Sequence, residues 1–130
     1  IFCRSMLEGK QPQIFGDGTQ ERDFISVFDV IDANIAAIDR GNGMTMNIAS
    51  SEAINVNRIF EMLRSITRYK WDPVHAPQRA GEVYQIALDC TKAATELDWS
   101  PKISLEEGMQ MTVDFFKQSL HPAGSMPLQG

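Results

Sequence analysis

The turn Gly16-Asp17-Gly18 does most to limit how this chain can fold. Two glycines around an aspartate open backbone conformations closed to other residues, so the apolar runs on either side must change direction there. Before it lies "PQIF" (12–15) and after it "RDFISVF" (22–28), each with the composition of a short strand. Asp-Gly is a strong hairpin signal, and the two runs are predicted to pair across it. Along the second run Arg22, Phe24, Ser26 and Phe28 would face one way, and Asp23, Ile25 and Val27 the other. An arginine therefore stands where the turn becomes a strand, in a chain whose net charge is −5.

The same alternation of short elements continues along the chain. "IFCRSMLEGK" reads as the tail of a helix stopped at Gly9, so a longer protein is expected. Asp29 is the expected cap of a helix running to about Arg40, with Gly41 ending it. "MTMNIAS" (44–50) reads as a strand. Asn55 is the expected cap of a helix whose Val56, Ile59, Phe60, Leu63 and Ile66 recur at helical spacing. "YKWDPVHAP" is extended and "VYQIAL" a short strand. Asp89 is the expected cap of the helix in "CTKAATELDW". Ser104 and Glu107 have capping-box spacing ahead of a last helix with Leu105, Met109, Thr112 and Phe116 on one face. The sum is a small α/β domain of short strands and four to five helices, followed by a loose Pro-, Gly- and Ser-containing tail.

Composition narrows the function. At 130 residues and 43% apolar content the chain suits one globular domain. No apolar run is long enough to span a membrane. Seventeen carboxylates against twelve basic residues argue against nucleic-acid binding. Cys3 and Cys90 lack metal spacing and read as buried thiols of a reducing, cytoplasmic setting.

Arg22 and Arg79 are the candidates for chemistry. Each follows a turn or a proline-containing loop and has an acid nearby, Asp23 and Glu82. A pair of guanidinium forks can clamp a diphosphate. Each can equally make an ion pair with its acidic neighbour, and spacing alone favours that reading. His75 and His121 stand alone, so a metal site is not indicated. The Gly16–Gly18 turn can cradle an anion but lacks the strand–loop–helix order of a phosphate loop, and reads as a hairpin turn. Glu106 and Glu107 complement a helix dipole.

Four segments in order tip the balance: "IFGDGTQERDFISVFDVIDANIAAI", "MNIASSEAINVNRIFEML", "APQRAGEV" and "LDCTKAATELDWSPKISLEEGMQMTVDFF". Together they resemble the C-terminal, substrate-binding part of an extended short-chain dehydrogenase/reductase. More narrowly they are similar to the NAD-dependent nucleotide-sugar epimerase/dehydratase family, of which UDP-glucose 4-epimerase is the best-known member. The resemblance covers Ile1 to about Lys117, so 1–117 is expected to be the substrate-binding domain and 118–130 a tail.

What the resemblance implies is specific. Arg22 and Arg79 bind the substrate's diphosphate from opposite sides, and Glu82 binds the ribose. Ile14 and Phe15 lie near the base, while Phe24 and Val56 line the nucleotide pocket. Glu82 stands where aspartate is common, and Phe24 where some members carry tyrosine. Ile86 stands where epimerases can carry tyrosine. The substrate would be a nucleotide diphosphate sugar, UDP-linked in the epimerases, whose C4 hydroxyl is oxidised by NAD and then reduced on the other face. Dehydratases, decarboxylases and reductases share these motifs, and a non-catalytic binding protein that kept the fold is the alternative of another class.

The family's NAD-binding glycine-rich strand–turn–helix is not in this sequence, nor is its Tyr-x-x-x-Lys pair. Tyr69 is next to Lys70, and Tyr84 has Leu88 four residues on. NAD would therefore be bound by an N-terminal domain outside this chain. The whole enzyme is expected to be a homodimer. The separate domain is expected to self-associate through apolar surface at Ile1, Phe2 and Met6.

Overall fold

A computed structural model describes residues 1–120. The helices are α1 (Phe2–Leu7), α2 (Val27–Asp39), α3 (Val56–Thr67), α4 (Thr91–Leu97) and α5 (Leu105–Leu120). The strands are β1 (Gln13–Phe15), β2 (Glu21–Asp23), β3 (Ala53–Asn55) and β4 (Val74–Ala76). The α/β class with five helices and short strands is as expected. α5 carries residues 118–120 of the expected tail, and 121–130, with His121, lie outside the described residues. No described helix is long and apolar enough to cross a membrane.

The predicted hairpin does not form. β1 pairs in parallel with β4, Ile14 opposite His75, whereas β2 pairs antiparallel with β3, Arg22 opposite Ile54. The cause lies in where the turn's carbonyls go. The first amides of a helix have no partner within it. Here α3 donates from Val56 N to Gln20 O (3.1 Å) and from Asn57 N to Gly18 O (3.1 Å), and Asn57 Nδ2 donates to Asp17 O (2.9 Å). The turn thus docks on a helix rather than folding back on itself. Gly18, at φ +78°, must be glycine because a Cβ there would collide with the Asn57 amide.

Three further boundaries differ from expectation. The strand expected over 22–28 stops at Asp23, and α2 begins at Val27 with Ser26 as its cap. Asp29 cannot cap, because its buried carboxylate accepts from Lys102 N (2.9 Å) and Ile103 N (3.2 Å) while its carbonyl takes Trp99 Nε1 (3.0 Å). Residues 44–50 are not a strand, since no described strand lies beside them to complete a ladder. "VYQIAL" contributes only a single bridge, Gln85 to Glu21. Two caps stand as read: Asn55 Oδ1 accepts from Arg58 N (2.8 Å), and Ser104 and Glu107 exchange bonds across a capping box. Asp89 sits one residue ahead of the α4 cap and accepts from Thr91 N and Oγ1 (2.8 and 2.6 Å).

Two cores hold the fold. The larger joins Cys3 and Met6 of α1, Ile14 of β1, Ile59, Phe60 and Leu63 of α3, Tyr69, and Val113 of α5. Each large apolar side chain fully buried this way contributes about 1.5–3 kcal/mol. Val113, rather than Thr112, is the innermost residue of α5; Thr112 is exposed and bonds Gly108 O. The smaller core gathers Ala33, Ala49, Cys90, Ala93, Leu97 and Trp99. α2 contributes little to either, and its Ile31, Ile35 and Ile38 are exposed. Met6 is buried and Phe2 packs on the larger core, so of Ile1, Phe2 and Met6 only Ile1 exposes its side chain broadly.

Candidate nucleotide-diphosphate site

The site grows from the three residues of β2. One edge of the strand pairs with β3; along the other, Glu21 N donates to Tyr84 O (2.8 Å) and Ile86 N to Glu21 O (3.2 Å). Gln85 Nε2 reinforces this from its side chain, 2.6 Å from Glu21 Oε2. The segment after the prolines is therefore laid against β2, which brings positions 22 and 82 together across sixty residues.

Arg22 Nη2 donates to Glu82 Oε1 at 3.1 Å, and Nη1 donates to Glu21 O at 2.7 Å and more weakly toward Tyr84 O at 3.4 Å. The acid beside Arg22 in sequence is not its partner. Asp23 points to the opposite face and accepts from Ser50 N, Ser50 Oγ, Ser51 N and Leu88 N. Glu82 is left half satisfied: its Oε2 is buried and has no hydrogen-bond partner. An unmet acceptor of this kind costs about 1–3 kcal/mol.

Arg79 and Glu82 belong to one turn. Glu82 N donates to Arg79 O (3.3 Å), and Gly81 takes φ +77°, which favours glycine at the third position of such a turn. Arg79 is not paired with Glu82. Its guanidinium carbon stands 3.9 Å above the Phe15 ring, a cation–π contact. Phe15 is in turn held by Gln20, whose buried side chain donates to Phe15 O at 2.9 Å.

Of the seven residues singled out by resemblance, four form two contacts, Arg22–Glu82 and Arg79–Phe15, joined by the 79–82 turn. Ile14 directs its side chain into the larger core and is 1% exposed. Phe24 and Val56 are half-buried against that core. Phe24 also borders an apolar cavity of about 580 Å³ between the start of α2 and α5, which contains neither arginine nor Glu82.

Gln20 and Asn57 are the residues that sequence reasoning missed, and Asp23, read there as a possible ion-pair partner of Arg22, binds Ser50, Ser51 and Leu88 instead. Asn57 left a faint signal, a second asparagine two places after the cap. His75 is accounted for: Nδ1 lies 2.8 Å from Gly16 O, to which the Nδ1–H tautomer donates. Cys3 and Cys90 are free and buried, and burial pushes the Cys3 thiol up, away from nucleophilic use. Among the described residues no group of three or more His, Cys, Asp or Glu could hold a metal ion. The amides of Val56 and Asn57 that open α3 are closed by the turn's own carbonyls, so that helix start offers them to no anion.

A family model described as GDP-mannose 4,6 dehydratase matches residues 2–112. A putative UDP-glucose 4-epimerase of Methanocaldococcus jannaschii is 38% identical over 119 residues, 92% of this chain and 38% of the relative. A UDP-glucose 4-epimerase of Thermotoga maritima, solved with UDP-glucose, superposes with a TM-score of 0.90 at 43% identity. That match covers 92% of this chain and 38% of the other. A UDP-glucuronic acid 4-epimerase of Bacillus cereus, solved with UDP-glucuronic acid and NAD, gives 0.84 at 35% identity, over 91% and 38%. The chain spans about 38% of the length of these relatives. With the paired strands, the Arg-x-Gly-Glu turn and the family model agreeing, the chain belongs to the GDP-mannose 4,6 dehydratase family, the nucleotide-sugar epimerases and dehydratases among the extended short-chain dehydrogenases/reductases.

Proposed function

We propose that this chain is the nucleotide-sugar-binding lobe of an NAD-dependent, UDP-glucose 4-epimerase-like enzyme. One observation carries the reading: Arg22 is fixed by Glu82 Oε1, while Glu82 Oε2 is buried without a partner. The arginine offers charge and donors to a diphosphate, and the partly exposed Glu82 carboxylate offers an acceptor to a ribose hydroxyl. Arg79, one turn away, supplies the second cation, and the Phe15 ring beneath it a flat apolar surface near the base. Ile14, Phe24 and Val56, which lie in or against the larger core, are assigned to the nucleotide pocket by the family resemblance.

NAD, on this reading, is held by the part of the relatives' length that this chain does not span, and no hydride step is assigned to the described residues. The whole enzyme would be a cytoplasmic homodimer, a setting that suits two free, separate thiols. A dehydratase is the second reading, favoured by the description of the matching family model.

Calorimetric titration of the folded chain with UDP, UDP-glucose and uridine tests the reading. Binding that depends on the diphosphate is expected. Equal affinity for UDP and uridine would overturn it.

A further inference from the structure

We propose that Asp23 is the positioning residue of this site: it meets no ligand, and it sets where the Arg22–Glu82 pair stands. The inference rests on the function proposed above and adds a residue to it.

β2 is three residues long, and so short a ladder does little to fix the direction of a side chain at its centre. Asp23 supplies what the ladder lacks. Its Oδ1 accepts from Ser50 N (2.7 Å) and Ser50 Oγ (2.6 Å), and its Oδ2 from Ser51 N (3.0 Å) and Leu88 N (3.3 Å). Ser51 takes φ +64°, a left-handed conformation uncommon for a residue with a side chain, as its amide joins that of Ser50 on one carboxylate. A carboxylate that accepts several backbone amides is a strong, directional anchor.

The consequence reaches the ligand side through the segment 82–88. Glu82 is tied to β2 by Arg22, Tyr84 and Ile86 by the backbone of Glu21, and Leu88 by Asp23. Three successive residues of β2 thus hold one segment at four points, and Asp23 holds its far end. Without that hold the segment is tied only at 82, 84, 85 and 86, its far end is loosened, and the position of Glu82 against the Arg22 fork is less closely set. Asparagine cannot substitute. One amide oxygen would retain the Ser50 bonds, but an NH2 group would then face the Ser51 and Leu88 donors.

The test is titration of UDP into the folded 130-residue chain as wild type, Asp23→Asn, Arg22→Ala and the double variant, with folding checked by circular dichroism. Asp23→Asn should lose about tenfold in UDP affinity. On the Arg22→Ala background the same change should cost under about threefold, because the pair it positions is gone. A merely structural Asp23 lowers the melting temperature and leaves UDP affinity of the folded variant unchanged, or weakens both backgrounds by the same factor. Either result overturns the proposal. Should Asp23→Asn fail to fold, Ser50→Ala removes the 2.6 Å hydroxyl bond to Asp23, together with the hydroxyl's contacts to Glu52 N (3.2 Å) and Glu52 O (3.5 Å), and leaves the three amide bonds to Asp23 in place. It should show the same pattern at smaller amplitude, and unchanged UDP affinity in that variant also overturns the proposal. A wild-type chain that binds UDP no better than uridine refutes the proposed function itself, and this inference with it, before any variant is compared.

Discussion

Arg22→Ala separates two free energies that the structure places on one side chain. The first belongs to the unliganded fold. Glu82 Oε2 already lacks a partner among the described residues, and the substitution strips Oε1 of the one cation they supply. Leaving a carboxylate so exposed to its own desolvation costs about 1–3 kcal/mol. The Arg22 and Glu82 side chains are 27% and 22% exposed, so water screens part of the pair and the lower half of that range is expected. The second belongs to the ligand. A charge-assisted contact to phosphate is worth about 1.5–3 kcal/mol, or about ten- to a hundredfold in Kd. Arg22→Lys should recover only part of either, since one ammonium cannot serve Glu82 and Glu21 O as two separate nitrogens do now. Calorimetry on folded wild type, Arg22→Ala and Arg22→Lys with UDP reads the ligand term, and thermal melts read the other. Wild-type UDP affinity in folded Arg22→Ala, with only the melting temperature lowered, would show that the arginine serves the fold and not the diphosphate.

The 130-residue chain alone should not interconvert UDP-glucose and UDP-galactose with NAD, because it spans about 38% of the relatives' length and its sequence holds neither the glycine-rich turn nor the Tyr-x-x-x-Lys pair; turnover that follows this polypeptide through purification would refute this. The chain should self-associate at high concentration, with Ile31, Ile35 and Ile38 of α2 as the contact; light scattering should show growing mass that Ile35→Asp reduces. Glu107 gives a pH signature. Bonds from the Ser104 hydroxyl, then its amide, hold the Glu107 carboxyl below its ordinary range. Its contribution to stability is therefore present above the unfolded-state value and lost as pH falls through the lower folded-state value. The melting temperatures of wild type and Glu107→Ala should accordingly differ most near neutrality and converge in acid.

The helices were legible because their signals are local. Asn55 and the Ser104–Glu107 box announce α3 and α5 within four residues of the bonds they make. Strand pairing was not, because nothing near Gly16–Gly18 says that its carbonyls will meet α3 some forty residues on. "FISVF" misled for a different reason: an alternating run of five fits a strand and the approach to a helix equally, and the Asp29 bonds to residues 102 and 103 decided it. The site followed the same division. Arg22, Arg79 and Glu82 stood out as charged residues at turns, and the resemblance gave them roles. That Asp23 faces away from Arg22, and that Arg79 lies over Phe15 rather than beside Glu82, depends on which strands lie side by side.

The manner in which β2 gathers its neighbours also sets an order of assembly. The bonds that build the site join residues far apart in the chain: 27 positions between Asp23 and Ser50, 60 between Arg22 and Glu82, 65 between Asp23 and Leu88. Closing such loops costs chain entropy before any contact compensates it, whereas α3 and α5 form from neighbours a turn apart. The helices can condense early, and the binding face closes last. The same face is then the first to open in the native state, so amides of 84–88 should exchange with solvent well before those inside α3.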